Sequence, residues 1–172
     1  GFLSVMLFMF VAAWLERPFR VTTHLTLLEL SDPSHPLLRR LAMEAPGTYH
    51  HSIVVGNIAE AAAEAIGADG LFCRVASLYH DVGKVIRPHF FIENQSSENL
   101  HNNINPSLSS LIVTSHVKDG VELAEEYRLP PPIIAIIREH HGTCLIKYFY
   151  HRAVTSSTDE PSPGLEYQFR YE

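Results

Sequence analysis

The chain has 172 residues, with 13 Lys and Arg against 19 Asp and Glu, and so a formal charge of −6. That length suits one domain with a self-sufficient core, and 46% hydrophobic against 19% charged residues excludes a disordered chain. The acidic balance argues against a nonspecific nucleic-acid binder, and two cysteines with no CxxC pair argue against a disulfide scaffold or a thiolate zinc site.

Residues 1–15 carry no charge. As a helix rising 1.5 Å per residue they would reach roughly 22 Å, short of the roughly 30 Å hydrocarbon core of a bilayer. Three readings compete. A signal peptide needs a basic start and a small-residue cleavage site, and neither is present. A buried core helix should show a polar face, and only Ser4 is polar. The third is the C-terminal part of a transmembrane helix whose beginning lies outside the chain, which starts at Gly1 rather than Met. Trp14 at the interfacial position, with Arg17 and Arg20 beyond it, favours this third reading and a cytoplasmic location for the rest of the chain.

Residues 25–30 form a short amphipathic stretch that Ser31, Asp32 and Pro33 break. Residues 36–45 read as a short helix with Pro in its first turn. A long helix comes next over 49–66, with Val54, Val55, Ile58, Ala62, Ala65 and Ile66 on one stripe with His51, and Gly67 as C-cap. Residues 69–80 read as another helix, with Asp69 as N-cap and Leu71, Val75, Leu78 and Tyr79 inward. Residues 87–105 have little periodicity and read as a long functional or mobile loop.

Helices are expected over 106–117 and from 119 to 128. Another, opened by Pro130–Pro132, buries Ile133, Ile134, Ile136 and Ile137 and ends at His140 and His141. One or two more turns should cover 147–152, and residues 155–164 have a linker composition. No segment alternates apolar and polar residues, so the expected fold is all-α. The expected divisions are the end of a membrane helix (1–16), juxtamembrane connector helices (17–45), the main helical domain (46–153) and a flexible tail (154–172).

Eleven histidines in 172 residues is the feature that needs explaining. His80 and Asp81 are adjacent at a helix end, where an imidazole nitrogen and two carboxylate oxygens can surround one point. His51 sits on the stripe of an earlier helix, His116 ends another, and His140 and His141 end a fourth. Imidazoles and a carboxylate from four helices meet the ligand demand of a dinuclear site inside a bundle. One HD dipeptide is a weak signal, and a lone His is more often a core residue than a ligand; the ordered set is much harder to obtain by chance. His50 points about 100° away from His51, and His24, His35, His101 and His151 read as surface or loop residues.

The stretch HDVGK (80–84) resembles the HDxGK signature of the HD-domain metal-dependent phosphohydrolases. Five segments in order are similar to the seven-transmembrane HD-domain (PgpH-like) family: APGTYHHS (45–52), LYHDVGK (78–84), RPHFFIENQ (87–95), SHVKDGVELAEEYRLP (115–130) and EHHGTCLIKYFYHRA (139–153). The resemblance spans about residues 20–153, and the preceding apolar run fits the end of that family's last membrane helix. It implies an HD-domain helical bundle and hydrolysis of cyclic di-AMP to linear pApA, as part of second-messenger signalling in a bacterial cell membrane. The implied metal ligands are His51, His80, Asp81, His116, His140 and His141, with Asp81 bridging. The implied cofactor is two divalent transition-metal ions, Mn or Fe foremost, although mixed N/O ligation also suits Zn or Ni. Two such ions would activate a water and neutralise a phosphodiester. No Walker loop or G-x-S-x-G elbow supports another hydrolytic mechanism.

The family also has a final Asp ligand on a later helix. Here only Asp159, Glu160, Glu166 and Glu172 come after His141, so the expected site lacks that ligand and the chain by itself is expected to be impaired. Lys84 is expected to stabilise charge in the transition state, with Asp81 as the other catalytic residue. Arg87, Phe91 and Asn94 are expected to bind the dinucleotide, by gripping phosphate, stacking on a base and reading an adenine edge. His51 is expected to have a partner that fixes its tautomer. The partners are then a cyclic dinucleotide and the membrane, with no nucleic-acid polymer; a homodimer is left open. Competing readings are another HD phosphohydrolase acting on a nucleotide or on cyclic di-GMP, although the GYP element is not seen, and a noncatalytic membrane-coupled nucleotide sensor.

Overall fold

The computed structural model describes residues 1–19, 22–96, 98–156 and 164–171, without the side chains of Met9 and of residues 12–19. The expectations for Arg20, Asp159, Glu160, Glu172 and most of the 155–164 stretch, and for the side chains of Trp14 and Arg17, lie outside what is described. Eight α-helices occur among the described residues: α1 (Phe2–Phe19), α2 (His24–Leu30), α3 (Pro36–Glu44), α4 (Pro46–Ala65), α5 (Gly70–Tyr79), α6 (Pro106–Glu126), α7 (Pro131–Glu139) and α8 (Lys147–Ser156). An isolated bridge joins Leu145 to Arg170, and the fold is all-α as expected. Among the described residues no helix is long and apolar enough to cross a membrane. The α1 side chains Phe2, Leu3, Phe8 and Phe10 are all exposed.

The core is built where α2, α3, α5, α6 and α7 face one another. Leu27, Leu37, Leu38, Leu41, Val75, Tyr79, Ala124, Ile133 and Ile137 are buried in one cluster. Removing one such leucine typically costs about 2–5 kcal/mol. Tyr79 donates its hydroxyl to the Leu30 carbonyl, 2.8 Å away, which ties the end of α2 to α5. Local signals act as the sequence predicts at α5, where the Asp69 carboxylate accepts the Phe72 N–H at 2.9 Å. Gly67 has φ +74°, which a residue with a Cβ rarely adopts. Both cysteines are free thiols.

Five expectations require correction. The buried side of α4 is formed by Thr48, Ser52, Gly56 and Ala63, while Val54, Ile58 and Ile66 are exposed. Small residues win that face because α4 lies close against α5: a Cβ on Gly56 would come within 3.2 Å of the Arg74 carbonyl. His51 accordingly sits on the open side of α4, with 48% of its side chain exposed. The expected break near residue 118 does not occur. α6 runs unbroken through Gly120, which serves close packing rather than a turn.

The expected loop at 87–105 is a chain of short 3-10 turns, Pro88–Phe90, Ile92–Asn94 and Leu100–Asn103. Within it His101 is buried, its Nε2 2.8 Å from the Phe90 carbonyl, rather than at the surface. Finally, the expected flexible tail is helical to Ser156 and packs again over 164–171. Phe169 there is fully buried and the Ile146 N–H donates to its carbonyl at 2.8 Å.

Candidate metal centre

The centre is created where α5 ends. His80 is the C-cap of α5, and Asp81 opens the 3-10 turn Val82–Ile86, so the two side chains meet instead of continuing around one helix. That turn is pressed on α6. A Cβ placed on Gly83 would fall 1.9 Å from the His116 carbonyl oxygen and 2.4 Å from the Gly120 nitrogen. Only a glycine permits this approach, and the approach is what carries His116 to Asp81. α7 then delivers His140 at its C-cap, with His141 next to it.

Asp81 is 3% exposed and lies at the middle of the cluster. Its Oδ1 is 3.3 Å from His116 Nε2 and 3.5 Å from His140 Nε2. Its Oδ2 is 3.1 Å from His80 Nε2, 3.9 Å from His51 Nε2 and 2.8 Å from Lys84 Nζ. Two ligand groups result: Asp81 with His116, His140 and His141, and Asp81 with His51 and His80. The expected residues therefore do converge, one set on each carboxylate oxygen.

The far nitrogens of three of these rings are tied down. His80 Nδ1 is 2.7 Å from the Ser77 carbonyl, His116 Nδ1 is 2.6 Å from Val113 O, and His140 Nδ1 is 2.9 Å from Ile137 O. A carbonyl only accepts, so each Nδ1 carries a proton, and a neutral ring turns the bare Nε2 lone pair toward Asp81. Lone pairs then face carboxylate oxygens, and Asp81 Oδ1 has no hydrogen-bond partner. Such a shell of acceptors is stable around a cation or an added proton, and it is the donor set a divalent transition metal takes. His51 shows no such partner among the described residues, contrary to expectation.

A proton on Nε2 changes the balance. Burial alone would raise the Asp81 carboxyl, but hydrogen bonds from His116, His140 and His80, with Nε2 protonated and donating, outweigh it and hold it well below the usual carboxylate range. Burial opposes a charge on His80, yet Asp81 raises its pKa above 6.5. His141 is pushed down to about 3, by burial first and then by His140 and His116. Its ring stacks on Tyr171 at 4.0 Å and 17°, a contact that no sequence pattern announces.

The other expected residues fare differently. Lys84 lies in the site, 2.8 Å from both Asp81 Oδ2 and Glu93 Oε1. Arg87 donates to Ser115 Oγ at 2.7 Å and to the Asp119 carboxylate, which ties its side chain to α6 beside the centre. Phe91 is 6% exposed, packed edge-on against His116 with Lys84 Nζ 5.1 Å from its ring centroid, so it is a wall and has no free face for a base. Asn94 does not point to a substrate either. Its Oδ1 accepts the Thr48 N–H at 3.1 Å and its Nδ2 donates to Thr48 Oγ1 at 2.8 Å, which caps the start of α4. A cleft of about 710 Å3 opens next to the centre between α6 and the 164–171 segment; Ser115, Lys118, Arg138, Tyr167, Arg170 and Tyr171 are among its walls.

Comparison with known proteins gives this geometry its context. The chain is 44% identical over 172 residues to the cyclic-di-AMP phosphodiesterase PgpH of Bacillus subtilis, covering 99% of this chain and 24% of that protein. It is 45% identical over 168 residues to PgpH of Listeria monocytogenes, covering 97% of this chain and 23% of that protein. The crystal structure of the L. monocytogenes PgpH HD domain in complex with cyclic-di-AMP matches with a TM-score of 0.75 and 48% identity, over 83% of this chain and 65% of that one. The chain thus spans about a quarter of the length of the curated relatives it matches. Residues 48–167, which include every histidine and aspartate of the centre, match the HD domain, and the chain belongs to the HD-domain family.

Proposed function

We propose that the chain is the hydrolytic domain of a membrane-anchored phosphodiesterase that opens cyclic di-AMP to linear pApA. The observation that carries this reading is the two-sided environment of Asp81, with imidazole nitrogens gathered on each carboxylate oxygen. That is the arrangement a bridging carboxylate needs. His116, His140 and His141 would hold one cation and His51 and His80 the other, with Asp81 shared. When bound, a pair of divalent ions, Mn or Fe, supplies water activation and charge neutralisation at a phosphodiester. The relatives' name and the ligand in the relative's crystal structure support cyclic di-AMP as the substrate.

The chain's own residues do the rest. The Ser77, Val113 and Ile137 carbonyls hold protons on Nδ1 and so keep three Nε2 lone pairs aimed inward. Lys84 keeps an ammonium beside Asp81, where negative charge on a phosphoryl oxygen would gather. The cleft brings Lys118, Arg138 and Arg170 to an anionic substrate, and Arg87, bonded to Ser115 in its wall, supports its edge. Anchoring rests on the uncharged run at 1–15 with Arg17 and Arg20 after it, which favours a cytoplasmic domain.

The test is turnover by the full-length protein against a panel of cyclic dinucleotides, with and without Mn²⁺. Cyclic di-AMP should be opened to pApA, and His80→Ala and Asp81→Ala should each lower kcat by at least about a thousandfold. Retained rates in those variants would reject the metal mechanism. Membrane fractionation and protease accessibility from the cytoplasmic side check the anchoring.

A further inference from the structure

Glu93 has no part in the reading above. It lies in the Ile92–Asn94 turn, within the stretch that looks like an unstructured loop in the sequence. Its Oε1 accepts from two donors, Lys84 Nζ at 2.8 Å and Thr48 Oγ1 at 3.0 Å. The backbone under it is pinned as well. Asn94 exchanges two hydrogen bonds with Thr48, and a Cβ on Gly47 would come within 1.8 Å of the Glu93 carbonyl oxygen. The carboxylate is therefore fixed to the first turn of α4 and cannot follow the lysine; the lysine must come to it.

Lysine carries a compact charge on a flexible stem with about 2 kcal/mol of rotamer entropy, so it stabilises a developing negative charge poorly unless something holds it. Two carboxylates grip Lys84, but they are not equivalent. Asp81 is the group around which the histidines gather, and its charge is committed to cations in the proposed enzyme. Glu93 touches none of those histidines among the described residues. It is the anion that remains for Lys84. The same carboxylate joins the α4 start, three residues before His51, to the 3-10 turn that comes after Asp81.

We infer that Glu93 is a positioning residue that holds the Lys84 ammonium beside the centre, using the capped first turn of α4 as its anchor. The inference rests on the phosphodiesterase reading and adds to it the residue that places its charged group. The effect of Glu93 on turnover then passes through Lys84 alone.

The experiment uses the full-length, metal-loaded protein and a double-mutant cycle. Glu93→Ala should lower kcat for cyclic di-AMP by about tenfold, and in a Lys84→Ala background it should cost nothing further. Glu93→Gln should recover part of the loss, because its amide oxygen still accepts from Lys84 and Thr48. Metal content and thermal midpoint should be unchanged in Glu93→Gln. A readout without turnover is the acylation rate of Lys84 by a water-soluble ester, followed by mass spectrometry; Glu93→Ala should raise it severalfold by freeing the amine. Losses that multiply in the double variant, or an unchanged Lys84 acylation rate, would overturn the inference. Absence of turnover in the unsubstituted protein would instead strike the phosphodiesterase reading, while the acylation measurement would still decide the role of Glu93.

Discussion

The two sides of Asp81 are built to different standards. On the Oδ1 side, His116 and His140 come from α6 and α7, are 1% and 12% exposed, and have Nδ1 fixed to their own helices. On the Oδ2 side, His80 is fixed in the same way, but His51 stands half exposed on the outer surface of α4, 3.9 Å away, and Lys84 already occupies the oxygen. The first half is preorganised by the core. The second depends on how α4 is seated. Tight binding should therefore belong to the Oδ1 side and exchange to the Oδ2 side, since preorganised donors bind without an ordering cost.

The most drastic way to break that contrast is Gly83→Ala. The new methyl meets backbone rather than a side chain, so α6 must be pushed off the Asp81 turn. Loss of more than about 3 kcal/mol of stability is expected by denaturant titration, with metal binding lost on both sides. Asp81→Asn comes next. It keeps the shape but removes the shared charge, and both ions of the proposed pair should be absent from the purified protein while the helical circular dichroism signal persists.

The two sides should also part with pH in the metal-free chain. His80 has a folded pKa above 6.5, so its contribution is complete below that value and is lost as pH rises through the folded pKa. His141 has a folded pKa of about 3, so its contribution is present above 6.5 and is lost as pH falls from there toward 3. Thermal midpoints in chelator should show both limbs. His141→Phe should flatten the acidic limb and leave the alkaline one; an unchanged acidic limb would show that the Oδ1 side is not its source.

His51→Ala should be gentler, removing about one equivalent of metal while the other stays bound, as isothermal titration can resolve. The smallest effect should come from Asn94→Ala, which uncaps α4 for about 1 kcal/mol in stability and loosens only the Oδ2 side.

Much of this arrangement could be read from the chain. The helical periodicity, the Asp69 cap and Gly67 mark α5 and the end of α4, and the spacing of His51, His80–Asp81, His116 and His140–His141 marks the centre. Those signals are local, or repeat along one helix. What escaped depends on distance. Large apolar residues at Val54 and Ile58 suggest the wrong face for α4, because the neighbour there is so close that only small residues fit. Gly120 looks like a break until Gly83 is seen against it. Asn94 and Phe91 have chemistry suited to a base, but Thr48 and His116 claim them from 46 and 25 positions away along the chain. Glu93 leaves no trace in the pattern for the same reason: its partners are remote and its role exists only once the turn has folded.

The contact of Gly83 with α6 has one more consequence. Where helices meet through side chains, a change of rotamer can absorb a shift, and substitutions elsewhere can retune the spacing. Between Gly83 and Gly120 peptide meets peptide, with no such cushion. The span from Asp81 to His116 is thus set by the radii of main-chain atoms. Enlarging or shrinking leucines in the surrounding core would be expected to change how firmly the domain holds together long before it changes the size of the opening offered to an ion.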